Sequence, residues 1–291
     1  MRWSTGDRGN IDDMRGASGG GGGRGMIPFG IGGVIVVALL SMYTGVDFFS
    51  ILGGGGSQST AVGTTGTATT GSPTEEKMVD MVDAVARDVQ EAWSEKLGSR
   101  YQPTKVTLFR DSIQSACGYA GAVSGPFYCP GDQKVYLDLS FFDELQRRFS
   151  APGDFAQAYV LAHEFGHHVQ KLAGTESRVR AMQEANPSNV NALSVRLELQ
   201  ADCYAGVWGH EAAQPGRAAR GAVELDPGDL DEALRAASAI GDDRLQKLGT
   251  GRVMPEKFTH GTSEQRMTWF KRGFDTGDPR QCDTFSGAGG R

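Results

Sequence analysis

The chain has no CxxC pair among its four cysteines, which removes the usual ligand spacing of a cysteine-rich structural zinc site. It has no basic stripe with interleaved aromatic residues. With 29 lysines and arginines against 35 aspartates and glutamates, and a net charge of −6, nucleic acid is excluded as the main partner. No internal repeat is evident, which argues against a solenoid or a propeller. What is present is ordinary for a globular protein: 39% hydrophobic residues over 291 positions suffice for one good core plus appendages.

Long uncharged runs are scarce, and the single strong one is Met26 to Val46 (MIPFGIGGVIVVALLSMYTGV). At about twenty residues it matches one bilayer crossing. A buried core helix is the competing reading, but the glycines from Gly19 to Gly23 and from Gly53 to Gly56 isolate the run from a packing partner. No small-residue cleavage site follows it, so an uncleaved anchor is preferred to a signal peptide. Arg2, Arg8, Arg15 and Arg24 precede the run, whereas Asp47 and no nearby basic residue follow it. By the positive-inside rule the amino terminus is expected in the cytoplasm and the rest of the chain beyond the membrane.

The cysteines bear on that expectation, because an oxidising compartment favours disulfides. Four cysteines allow three pairings. Cys117 with Cys129 and Cys203 with Cys282 is the preferred set, since the short loop holding Gly118, Gly121, Gly125 and Pro126 gains most from a covalent constraint. Four free buried thiols are the alternative.

Gly53 to Ser72 is glycine, serine and threonine with almost nothing apolar, the composition of a tether. Ser72-Pro73-Thr74-Glu75 then reads as a capping box opening a helix to about Leu97, with Met78, Val82, Val85, Val89 and Trp93 as its apolar stripe. Lys105–Phe109 and Lys134–Leu139 read as strands of a small sheet. Asp154 to Leu172 reads as a helix, Asn186-Pro187-Ser188-Asn189 breaks the chain before another, Asp226-Pro227 opens a further one, and Thr262 to Gln265 is the capping box of the last. The expected organisation is a segment over 1–25, a transmembrane anchor over 26–46, a linker over 47–74, one domain over 75–285 and a tail over 286–291.

Within the Asp154 helix lies His163-Glu164-Phe165-Gly166-His167. Residues four apart share a helical face, so both imidazoles reach one cation with Glu164 beside it, the arrangement of a zinc-peptidase site. His168 is rotated by about 100° from His167 and is not expected to ligate the same metal, and His210 reads as structural. Glu198-Leu199-Gln200-Ala201-Asp202 supplies a candidate third ligand, Glu198. One turn on, Asp202 is spaced to accept a hydrogen bond from the free ring nitrogen of a zinc histidine. His260 opens HGTSEQR just before a capped helix. It is a candidate catalytic residue stabilising an oxyanion, or else a histidine that fixes the helix start. Arg266 is placed to bind Asp202, a substrate carboxylate or neither, and Tyr204 is a further possible oxyanion donor.

HExxH followed by ExxAD is similar to the zincins whose third ligand is glutamate. The flanking text, from MRW through GPFYCPGDQKVYLDLSFF, AHEFGHHVQ and ELQADCYAGVW to HGTSEQRMTWF, resembles one bacterial family among them, the neutral zinc metallopeptidases. The resemblance covers most of the chain. It implies one zinc per chain on His163, His167 and Glu198, with Glu164 as the catalytic glutamate. The expected fold is α+β, a mainly helical zincin-like domain with a small β-sheet, preceded by a single transmembrane helix. By analogy with zincins, Val135 to Leu139 is the expected substrate-lining edge strand. The expected activity is zinc-dependent endopeptidase hydrolysis of peptide or protein substrates by activated water, at a bacterial cell membrane and outside the cytosol. The alternative is a zinc-containing envelope binding or assembly factor with little hydrolysis. Oligomeric state is not legible.

Overall fold

A computed structural model describes residues 1–16, 71–121 and 125–286. The expected anchor over 26–46 lies outside the described residues, as do linker residues 47–70 and the tail from residue 287. Among the described residues no helix is long and apolar enough to cross a membrane.

The chain runs β1 (Ile11–Asp13), α1 (Pro73–Leu97), β2 (Val106–Phe109), β3 (Ser112–Ser115), β4 (Gly118–Gly121), β5 (Phe127–Cys129) and β6 (Lys134–Asp138). Seven helices follow: α2 (Ser140–Arg147), α3 (Asp154–Leu172), α4 (Thr175–Ala185), α5 (Val190–Ala212), α6 (Asp229–Ala239), α7 (Asp242–Thr250) and α8 (Ser263–Thr276). The fold is thus α+β and mainly helical, with a small sheet.

That sheet has the order β1-β2-β6-β5. The first three strands are parallel, with Ile11 opposite Val106 and Val106 opposite Val135, and β5 is antiparallel to β6. β3 and β4 form a separate hairpin. β2 and β6 fall where their alternation placed them, but β6 is not the edge. It is flanked by β2 along Val135 to Asp138 and by β5 along Lys134 to Tyr136, and its last four residues are buried. The edge beside the long helices is β5, and the expectation for Val135 to Leu139 is corrected to Phe127–Cys129.

The amino-terminal segment is a second correction. The sequence reading set residues 1–25 apart from the domain, yet β1 is a strand of its sheet. Asn10 bonds the buried Asp83 of α1 through its backbone N–H and its side-chain amide, both at 3.1 Å, and accepts from Gln90 at 2.9 Å. Arg2 and Glu224 pair through their backbones. The folded unit therefore includes chain well before residue 75. Three residues of strand are too short to carry a readable alternation.

Local chemistry accounts for the helix ends. Ser72 accepts the backbone N–H of Glu75 with Pro73 in the first turn, while the Glu75 carboxylate turns to Arg15 instead of completing a box. Thr262 and Gln265 cap α8 reciprocally. The core joins one face of α1 (Val79, Val82, Val85, Val89, Trp93) to α3, α5, α6 and the sheet. Both expected disulfides are formed: Cys117–Cys129 binds the hairpin region to β5, and Cys203–Cys282 ties α5 to the chain after α8.

Two glycine contacts set the helix spacing around the site. A Cβ on Gly166 would lie 3.0 Å from the carbonyl oxygen of Ala201, so the missing side chain lets the backbones of α3 and α5 touch. Gly206 and Gly273 do the same between α5 and α8, where an added Cβ would fall 2.0 Å from the Phe270 oxygen and 1.9 Å from that of Cys203.

Candidate metal centre

α3 carries His163 and His167 one turn apart, and their rings meet edge to face with centroids 4.8 Å apart. The close approach of α5 brings Glu198 between them. His163 Nε2 lies 3.1 Å from Glu198 Oε2, and His167 Nε2 lies 3.6 Å from Glu198 Oε1. One ligand atom from each of the three residues lies within 4.8 Å of the other two, close enough to share one ion. Two imidazoles and one carboxylate are also the donor set of a zinc site with an open position. The residues fit the ion.

What surrounds the ligands orients them. His163 Nδ1 bonds Asp202 Oδ1 at 2.8 Å, and His167 Nδ1 bonds Gln170 Oε1 at 2.9 Å. Each ring so held keeps its Nε2 aimed at Glu198. Gln170 is fixed in turn by donating to the Leu197 carbonyl at 2.7 Å and to Gln200 at 3.2 Å. Asp202 is fully buried and also accepts from Tyr159 at 2.6 Å and from Arg266 Nε and Nη2, each at 2.8 Å. Among the uses open to Arg266, the structure selects Asp202.

Electrostatics follow from this packing. Burial alone would raise the Asp202 pKa, but Arg266 and then His163 bring it down to about 2. Burial likewise opposes ionisation of Glu198, and the nearby His167 and His260 hold it well below the usual carboxylate range. For His163 burial disfavours the cation, yet Asp202 and Glu198 raise its pKa to about 10. Glu164 goes the other way: burial pushes its pKa up, against the pull of His163 and His167. A carboxylate poised above its ordinary range suits proton transfer near neutrality.

The backbone of Tyr128, at the centre of β5, acts on Glu164 in the opposite sense to burial and favours its ionised form. The free edge of the sheet therefore runs past the proton-accepting group. His168, one turn beyond Glu164 on α3, bonds the Tyr128 hydroxyl at 3.0 Å and the Gln102 carbonyl at 2.6 Å, which holds β5 against the helix. His210 bonds the Phe274 carbonyl at 2.7 Å between α5 and α8, far from this chemistry.

His260 comes to the site from the loop before α8. Burial lowers its pKa, but the field of Glu198 and the hydrogen bond to Asp242 more than reverse this, and the net direction is upward. Asp242 is fully buried and accepts the backbone N–H groups of Thr259, His260 and Gly261 at 2.7, 2.7 and 3.0 Å, while its other oxygen lies 3.3 Å from His260 Nδ1. The loop and the ring are thus held by one carboxylate. Tyr204 is not brought to the site: it packs edge-on against Trp93 at 5.0 Å, and its charged neighbours are Asp283 and Arg178.

Sequence reasoning missed Tyr159, Gln170, Tyr128 and Asp242. Tyr159 is four residues before His163 and Gln170 three after His167, so helical spacing placed both on the ligand face. Nothing local marks Asp242 or Tyr128, which long-range packing delivers.

Fold and site together define a zincin-type protein with a candidate metal site, HExxH on α3 and the third candidate ligand, Glu198, on α5. Within that class the chain belongs to the family described as "putative neutral zinc metallopeptidase", whose model matches residues 1–285. It is 47% identical to the uncharacterized protein YpfJ of Escherichia coli over 98% of this chain and 99% of that one. It is 44% identical to the uncharacterized protein Rv2575 of Mycobacterium tuberculosis over 71% of this chain and 70% of that one. No solved structure matches.

Proposed function

We propose that the protein is a zinc-dependent endopeptidase, associated with a membrane through Met26 to Val46, whose domain works outside the cytosol. One observation carries the catalytic reading: the buried His163 and the half-buried His167 and Glu198 converge while Glu164, held on the same helix as the histidines, stays off the ligand set with a raised pKa. Two disulfides and no free cysteine among the described residues support the oxidising compartment.

A zinc ion in this site supplies a Lewis acid and lowers the pKa of water to about 7. The chain's own groups do the rest. Glu164 accepts the proton of the attacking water and passes it to the leaving amine. His260, oriented by Asp242, donates to the oxygen that gains charge in the transition state. An extended substrate adds to the outward edge of β5 at Tyr128, which aligns the scissile bond with Glu164. Asp202 and Gln170 keep both ligand rings in place throughout.

The test uses the full chain, because β1 belongs to the folded unit. Wild type and Glu164→Gln are loaded with zinc, their metal is measured by mass spectrometry, and both are assayed on a mixed peptide library at neutral pH. One zinc in each with cleavage by wild type alone supports the reading. Zinc in both with cleavage by neither favours a binding or assembly factor, and absence of zinc refutes the site.

A further inference from the structure

We infer that residues 1–16 and the rest of the domain, from residue 71 on, lie on the same side of any membrane. The inference goes beyond the zinc chemistry and does not depend on it. It replaces the expected topology, in which the amino terminus and the domain face opposite compartments.

Three observations carry it. β1 pairs with β2 over Ile11 to Asp13, and its flanks continue the ladder, Val106 donating to Asn10 at 2.9 Å and Met14 to Leu108 at 2.8 Å. Next, the two segments meet on one atom. Glu76 Oε1 accepts Arg15 Nη2 at 2.9 Å and the backbone N–H of Gly71 at 3.1 Å. A hydrocarbon layer of about 30 Å cannot lie between groups bound to the same oxygen.

The third observation concerns charge. The orientation expectation rested on arginines before the apolar run, and three of the four are used inside the domain. Arg2 pairs with Glu224 and Asp226 at 2.7 and 2.8 Å, Arg8 with Glu76 and Asp80 at 2.6 and 2.7 Å, and Arg15 with Asp13, Glu75 and Glu76 at 2.6 to 3.0 Å. Arginines bound to acids of the folded domain lie on the domain's side of any membrane. Their place before the apolar run is explained by the fold.

The measurement is cysteine accessibility in the full chain. Every native cysteine is in a disulfide, so the background is silent to a maleimide. Thr5→Cys and Glu95→Cys are made separately at exposed positions, one in each segment. Each is treated in intact spheroplasts with a membrane-impermeant maleimide, then again after lysis. Labelling of both to equal extent before lysis is expected. Labelling of both only after lysis keeps the inference and refutes the extracytosolic placement instead. Labelling of one before lysis and of the other only after it overturns the inference. Retention of both native disulfides, read on a non-reducing gel, confirms that each variant has folded.

Discussion

Asp202 touches no metal, yet it is the residue on which the centre's arrangement turns. Its carboxylate holds the His163 ring at 2.8 Å and is the partner of Arg266, a guanidinium only 2% exposed. Asp202→Asn keeps one acceptor oxygen and the volume but loses the charge, so two distinct effects are expected. A ligand ring whose outer partner is altered typically loses about 10–100-fold in metal affinity, or roughly 1.4–2.7 kcal/mol. Leaving Arg266 buried without a counter-charge costs a further ~3–5 kcal/mol of fold stability. The double variant Asp202→Asn with Arg266→Met separates them, because with neither charge left alone most of the stability returns while the ring stays poorly oriented. Zinc affinity is read by competition with a chromogenic chelator, and stability by urea unfolding of the metal-free chain. If Asp202→Asn binds zinc as tightly as wild type, or if the double variant regains affinity along with stability, Asp202 serves only as the partner of Arg266 and the reasoning fails.

Metal-free His163 has a pKa raised to about 10 and so carries a proton on Nε2 near neutrality. Zinc binding should therefore release at least one proton, seen by calorimetry in buffers of differing ionisation enthalpy, and buffer-independent heats would exclude this. The peptidase rate should be bell-shaped in pH. Glu164 must be ionised, so the rate falls as pH drops through a pKa raised above 4.5, and His260 donates only while protonated, so it falls again as pH rises through a pKa raised above 6.5. Asp242→Asn should move the alkaline limb to lower pH, and its rate loss should not add to that of His260→Ala; full additivity would deny the coupling. Gly206→Ala forces a Cβ to within 2.0 Å of the Phe270 oxygen, so the α5–α8 contact must open. A loss of about 1–3 kcal/mol or more in urea unfolding is expected, and an unchanged midpoint would mean that the contact is slack.

How far these features could be read from the sequence depends on the distance over which each is encoded. The ligand pair, Glu164 and the Glu198-to-Asp202 step are periodic within single helices, so spacing alone carried them. The disulfides were legible because the loop between Cys117 and Cys129 is short and glycine-rich. The sheet edge was not, since alternation identifies a strand without saying which neighbour it takes: β5 has three residues, and only its pairing with β6 makes it the edge. Asp242 was equally silent, an ordinary first-turn acid until the fold sets three backbone N–H groups and the His260 ring around it.

The place of the amino-terminal segment in the fold was missed for a different reason. Charge counting treats each arginine as solvated and uncommitted, but Arg2, Arg8 and Arg15 are bound to acids from residue 13 to residue 226. A rule that counts arginines by their position before an apolar run says nothing of what they bind, and here those residues help to build the domain whose location they were used to predict.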